Sequence, residues 1–197
     1  MQVVSPTNYT PSVAPVFQPV TVDEAKVQLR IESDDFDDEI RKQIDAATDY
    51  LQTVGDRQFC TATWMTKLDK FPCGYDDEIR LAKSPLASVS SIAYLDADGT
   101  STTLSSTAYD VDTNSEPGRI TLSYGDVWPS TQDVANAVTI TFVAGQAQAS
   151  VPQRIKQHIL SIVAEWWWNR ETSMESTSKE SPWHTRLLWS MRVKQFV

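Results

Sequence analysis

The chain has 197 residues, with 17 Lys and Arg against 26 Asp and Glu, a formal charge of −9 and a pI near 4.6. A chain of this length buries roughly 70% of its unfolded surface on folding, and 41% hydrophobic with 10% aromatic residues excludes global disorder and low complexity. The acidic balance argues against a domain that works by neutralising phosphates, two cysteines make no disulfide framework, and no apolar run is long enough for a bilayer.

Residues 1–19 carry Pro6, Pro11, Pro15 and Pro19 and no charge, which predicts an extended arm without a secretion signal. Thr21-Val-Asp-Glu24 then has the spacing of a capping box, with Val20 and Ala25 placed as a staple, so a short helix should run to about Ile31. An acidic run, Ser33 to Glu39, opens a longer helix. Ile40, Ile44, Ala47, Leu51 and Val54 form its apolar stripe, and Gly55 is the expected stop.

From Thr61 the period changes to two. Trp64, Thr66 and Leu68 alternate with polar neighbours, as do the pairs Ile79/Leu81, Ile92/Tyr94, Tyr109/Val111 and Ile120/Leu122, and finally Val138, Ile140 and Phe142. Turn signals lie between them, including Asp98-Gly99 and Glu116-Pro117-Gly118. About six short strands are predicted between Thr61 and Ala144, joined in sequence by hairpin-length links. Val151-Pro152 restarts helix, with Ile155, Ile159, Ile162, Val163 and Trp166 on one stripe widened by Leu160, Trp167 and Trp168. Glu171–Ser181, with six Ser or Thr in eleven residues, reads as a tether. The last sixteen residues hold Arg186, Arg192 and Lys194 and no acid, a charge of +3 that leaves −12 for the remainder.

The expected fold class is therefore α+β: a helical bundle of two N-terminal helices plus a long C-terminal helix, an inserted antiparallel β domain, and a C-terminal docking tail. The predicted boundaries are 1–19 for the arm, 20–58 with 150–181 for the helical domain, 59–149 for the insert and 182–197 for the tail.

Chemistry is scarce. No GxGxxG, GxxxxGK[ST], GxSxG, HExxH or CxxC motif is present, and the only histidines are His158 and His184. No catalytic residue, cofactor or metal is expected. The acids Asp34, Asp35, Asp37, Asp38 and Glu39 are better explained as helix N-terminal charge than as a metal site, because the ligand spacing of a calcium loop is missing. Asp96-Ala-Asp98-Gly99 is better explained as a hairpin turn. Cys60 and Cys73 are expected as free thiols. Trp166, Trp167 and Trp168 point about 100° apart on a helix, so one core does not easily cover all three and a subunit interface is expected. In the tail, Trp183, Leu187 and Met191 recur every four residues with Leu188 and Trp189 beside them. That pattern suits an amphipathic anchor into a partner protein rather than a membrane, with docking onto its own domain as the rival.

The succession "VTVDEAKVQLRI", "DDFDDEIRKQIDAATDYLQTVGDRQF", "LAKSPLASVSSIAYLDADGT", "YDVDTNSEPGRI", "AVTITFVAG" and "VPQRIKQHILSIVAEWWWNRE" resembles the head–tail connector (adaptor, head-completion) proteins of tailed phages and gene transfer agents, in their longer form with a β insert. The likeness runs from Val20 to Glu171. It implies a structural, non-enzymatic subunit of the virion neck, assembled in the host cytoplasm into a ring of about twelve copies beneath the portal. Such a ring extends the DNA channel toward a tail-side connector or tail terminator. Under that resemblance the helical domain forms the ring. Trp183, Arg186, Leu187, Leu188, Trp189, Arg192 and Lys194 would dock on the portal protein. Asp34, Asp35, Asp37, Asp38 and Glu39 would present an acidic channel surface past which DNA moves without specific binding. The alternative is a monomeric β-rich interaction module that grips a ligand through Trp64, Tyr94 or Trp128.

Overall fold

The computed structural model describes residues 3–4, 8–73 and 77–169, so the predicted tether and tail lie outside the described residues. Helix α1 (Val22–Leu29) begins as the sequence predicts. The Thr21 hydroxyl accepts from the Glu24 N–H at 3.1 Å while the Glu24 carboxylate accepts from the Thr21 N–H at 2.8 Å. It ends sooner than expected, at Arg30, whose φ of 58° turns the chain out of the helix. Helix α2 (Asp37–Gly55) keeps its glycine as the last helical residue, and Asp56, at φ 50°, takes the left-handed position instead. Asp tolerates that conformation better than most residues. Helix α3 (Gln153–Trp168) starts after Pro152.

Two cores share no residue. The helical one gathers Ala25 and Leu29 from α1, Ile40, Ile44 and Leu51 from α2, and Ile155, Ile159 and Val163 from α3. The second lies between two sheets. One has the order β1-β4-β8-β7 and the other β2-β3-β9-β5-β6. In chain order these strands are β1 (Val3–Val4), β2 (Tyr9–Val13), β3 (Ala62–Leu68), β4 (Glu78–Leu81), β5 (Leu86–Leu95), β6 (Ser101–Thr103), β7 (Tyr109–Asp112), β8 (Gly118–Leu122) and β9 (Val138–Ala144). Ile79, Leu81 and Ile120 from the first sheet meet Ile92, Ile140 and Phe142 from the second, each of them 0% exposed.

Two expectations change here. The strands of the predicted insert are not linked in sequence: β3 pairs with β9 along its full length, and from β3 to β9 only β5–β6 and β7–β8 are neighbours in both chain and sheet. Turn signals mark where strands stop, but mutual burial decides which strands meet. The proline-rich arm is extended as predicted, but it is not separate from the β insert. Tyr9–Val13 adds an edge strand to β3, and Val3–Val4 pairs with β4. Pro11 is tolerated because it sits on an edge, where a missing N–H costs no ladder bond.

The chain crosses between the two cores three times, from β2 to α1, from α2 to β3 and from β9 to α3, and the last two crossings are tied together. Gln58 N–H donates to the Ser84 carbonyl at 2.8 Å, Gly145 N–H to Pro85 at 2.8 Å, and Gln146 N–H to Phe59 at 3.1 Å. The buried Gln58 amide bridges the joint from inside, giving to the Cys60 carbonyl at 2.7 Å and receiving from Trp64 Nε1 at 3.2 Å. Gly145 is required at this point. Its φ is +94°, and a Cβ there would lie 2.4 Å from the Cys60 carbonyl oxygen. Outside the joint, Arg57 grips Glu116 through both guanidinium nitrogens, one at 3.0 Å, and holds that carboxyl below the usual range.

Candidate functional site

The far end of the helical unit, away from the joint, is where sequence-predicted residues converge. Trp166 follows Ile159 by seven residues and so continues the buried stripe of α3, yet it is 39% exposed because the core stops one turn earlier. Trp168 points another way and is 73% exposed. Trp167 alone turns inward, half-buried against the helical core and edge-on to Phe36, with ring centroids 5.5 Å apart at 83°. Phe36 itself is 40% exposed. The helix therefore ends in one docked indole flanked by two presented ones.

The acidic run lies on this same end, because Phe36 sits in its middle. Lys26, nearly buried, donates to Asp34 and, at 3.0 Å, to Asp37. These hydrogen bonds raise the Lys26 pKa and lower that of Asp34. Arg41 pairs with Asp38 at 2.5 Å, and Asp35 shares a hydrogen bond with Ser33 at 2.6 Å. Glu39 is exposed on the next turn. The run thus joins α1 to α2 and leaves a negative surface beside the tryptophans. Among the described residues no three His, Cys, Asp or Glu side chains gather as a metal site would require, and no helix is long and apolar enough to cross a membrane.

Other candidates are committed elsewhere. Asp96 caps its own turn, accepting from the Asp98 N–H at 3.0 Å and the Thr100 N–H at 2.9 Å, with Gly99 at φ +80°. Cys60 is buried, and burial pushes its thiol up to about 11, whereas Cys73 is exposed. His158 is buried within α3. Tyr94 and Trp128 both pack on Phe71, at 5.6 Å edge-on and 4.8 Å stacked, and Trp64 lies under Lys83 at 4.9 Å. The three aromatics of the binding-module alternative are therefore spread over two places rather than gathered in one cleft. Trp183, Arg186, Leu187, Leu188, Trp189, Arg192 and Lys194 lie outside the described residues.

Sequence reasoning passed over Phe36, the one apolar residue in the acidic run, and the joint around Gln58 and Gly145. Phe36 was detectable as an aromatic in a segment otherwise suited to solvent. The joint had no local signal, since its backbone partners come from three separate stretches of the chain, around Gln58, Ser84 and Gly145.

Residues 19–116 match the family model of the phage gp6-like head-tail connector proteins. The chain belongs to this connector family. Solved structures extend the likeness across the connector's whole length. A chain in the neck of an empty GTA particle, computed with C6 symmetry, superposes with a TM-score of 0.80 at 18% identity over 97% of this chain and 98% of that one. Another, from the virion of a native gene transfer agent particle, gives 0.76 at 16% over 96% and 97%. A third, from the neck of a native GTA particle computed with C12 symmetry, gives 0.75 at 17% over 97% and 98%. At such identities the likeness is one of fold. A search of curated proteins finds no match to the connector's sequence.

Proposed function

We propose that this connector is a non-enzymatic adaptor subunit. About twelve copies form a ring at the virion neck, joining the portal to a tail-side connector or terminator and extending the DNA channel. The observation that carries the reading is membership of the head–tail connector family over residues 19–116. The fold shared with particle-neck chains computed with six- and twelve-fold symmetry supports a ring. Assembly would take place in the host cytoplasm, as the particle is built.

Side-by-side contact runs through the helical unit. Trp166 and Trp168 are large apolar side chains held in place by a helix whose other face is fully packed, so burying them in a neighbour costs little ordering. The surface formed by Asp34, Asp35, Asp37, Asp38 and Glu39 faces the channel, where like charge keeps DNA from sticking during passage. The segment 182–197 docks on the portal. Its aromatics act as anchors, while Arg186, Arg192 and Lys194 set orientation and encounter rate more than affinity. Ring multiplicity then turns a weak single contact into a durable one.

Two variants test this on portal-bearing, DNA-filled heads. Trp166→Ala with Trp168→Ala should keep the melting temperature of the free subunit while abolishing ring assembly. Deleting 182–197 should abolish attachment, again with an unchanged melting temperature. Normal assembly by the first and normal attachment by the second would overturn the two assignments.

A further inference from the structure

The end of the β unit farthest from the helices carries an open groove of about 410 Å³. Its wall is apolar: Phe71 and Trp128 stack at 4.8 Å, with Pro129 and Val127 beside them and Lys70 and Cys73 at the rim. Val127 is 76% exposed. Trp128 Nε1 is buried without a hydrogen-bond partner. An occupant that suits this apolar, aromatic wall is itself apolar and uncharged. Proline-containing extended chain is recognised by aromatic grooves for these reasons.

The same chain displays such a segment. After β2 the backbone runs Val13-Ala-Pro-Val-Phe17, with Val13 56%, Val16 83% and Phe17 64% exposed and no charge among them. Strand pairing keeps this segment away from its own groove. Val13 pairs with Thr63 near the joint, while the groove follows Leu68 at the other end of β3 and adjoins Val138, the partner of Leu68. Seven strand residues at roughly 3.3 Å each put about 20 Å between the two ends.

We propose that the exposed Val13–Phe17 segment of one copy seats in the Phe71–Trp128 groove of the next copy, forming a lock between β units. The proposal rests on the ring reading above. Two different patches held at opposite ends of one sheet are what a heterologous contact uses, and repetition of such a contact by rotation closes a ring. One seating covers a single short segment, well below the ~1,000 Å² of a stable isolated pair. It therefore adds to the helical contact and does not hold two free subunits together alone.

The native thiol at the groove rim makes the test direct. In the full chain, Ala14→Cys places a second exposed thiol inside the segment and leaves Val13, Val16 and Phe17 intact. The variant is assembled on portal-bearing heads, its mass on the heads is measured, and a short bismaleimide is added. Covalent multimers in a ladder are expected, and Ala14→Cys with Cys73→Ser should give none. Independently, Val16→Asp with Phe17→Asp should weaken ring assembly at least tenfold without lowering the subunit's melting temperature. Assembled chains with no ladder would overturn the lock and leave the ring standing, as would a link confined within one chain. Absence of any assembled species, with the unsubstituted chain as control, would overturn the ring reading and the lock together.

Discussion

The helical unit and the β unit solve the same burial problem with opposite reach. In the helices the apolar residues that meet are supplied by local periodicity, and the three elements leave one end unfinished, where Trp166, Trp168 and Phe36 stand partly in solvent. In the β unit most strand pairings are between segments distant in the chain, and the inner sheet faces are closed on each other. Both units leave apolar side chains in solvent at their extremities: Trp166 and Trp168 where the helices end, and Val127 and the Val13–Phe17 segment at opposite ends of one sheet.

The largest effect should come from cutting the β core. Phe142→Ala removes a fully buried ring from the sheet-to-sheet contact and should cost about 4 kcal/mol, measured by denaturant unfolding. Ile159→Ala in the helical core should cost about 3 kcal/mol. Because the two clusters share no residue, the double variant should lose the sum to within about 0.5 kcal/mol. A clear departure from additivity would show that the comparison draws the line in the wrong place.

Breaking the joint sharpens the comparison differently. Gly145→Ala forces a Cβ against the Cys60 carbonyl at a positive φ and should cost about 3 kcal/mol or less. Its thermal transition should broaden or split as the two units lose their common fixing, whereas an unchanged single transition would deny the joint that part. Thr21→Ala removes only the cap of α1 and should cost about 1 kcal/mol, with no change in β-unit protection by hydrogen exchange.

The smallest effect is a pH dependence confined to the β unit. Asp112 accepts from Ser115, the Asn114 N–H and Arg119, which holds its carboxyl at about 2 against an ordinary 3.8. A depressed carboxylate stabilises the fold above its unfolded value, and that contribution disappears as pH falls from about 4 toward 2. Melting temperatures across that window should therefore fall less steeply in Asp112→Asn than in the unsubstituted chain. Equal slopes would remove Asp112 from the account.

How much was legible in the sequence follows from the same contrast. The capping box at Thr21 and Glu24, the stripe from Ile40 to Leu51, the α3 stripe from Ile155 to Val163 and the alternation of the predicted strands depend on neighbours within a few residues and appear where expected. Val54 and Trp166, the last residue of each predicted stripe, instead lie beyond the core and are exposed. Beta strand β6 was missed because Ser101–Thr103 has no apolar alternation and is held only by pairing with β5. The prolines predict an extended arm but not its pairing, because Pro11 argues against a strand until an edge is available to receive it.

Sequence alone determined the elements, their apolar faces and the acidic character of the α2 start, because periodicity, capping and charge act over one or two turns. Tertiary structure decided which strands are neighbours, that the arm completes a sheet, and that Gly145 must be glycine. It also decided which of three consecutive tryptophans is inside. Those outcomes depend on which distant surface arrives to cover a residue. A helix fixes the directions of Trp166, Trp167 and Trp168, but the helical core together with Phe36, just before α2, makes Trp167 the half-buried one.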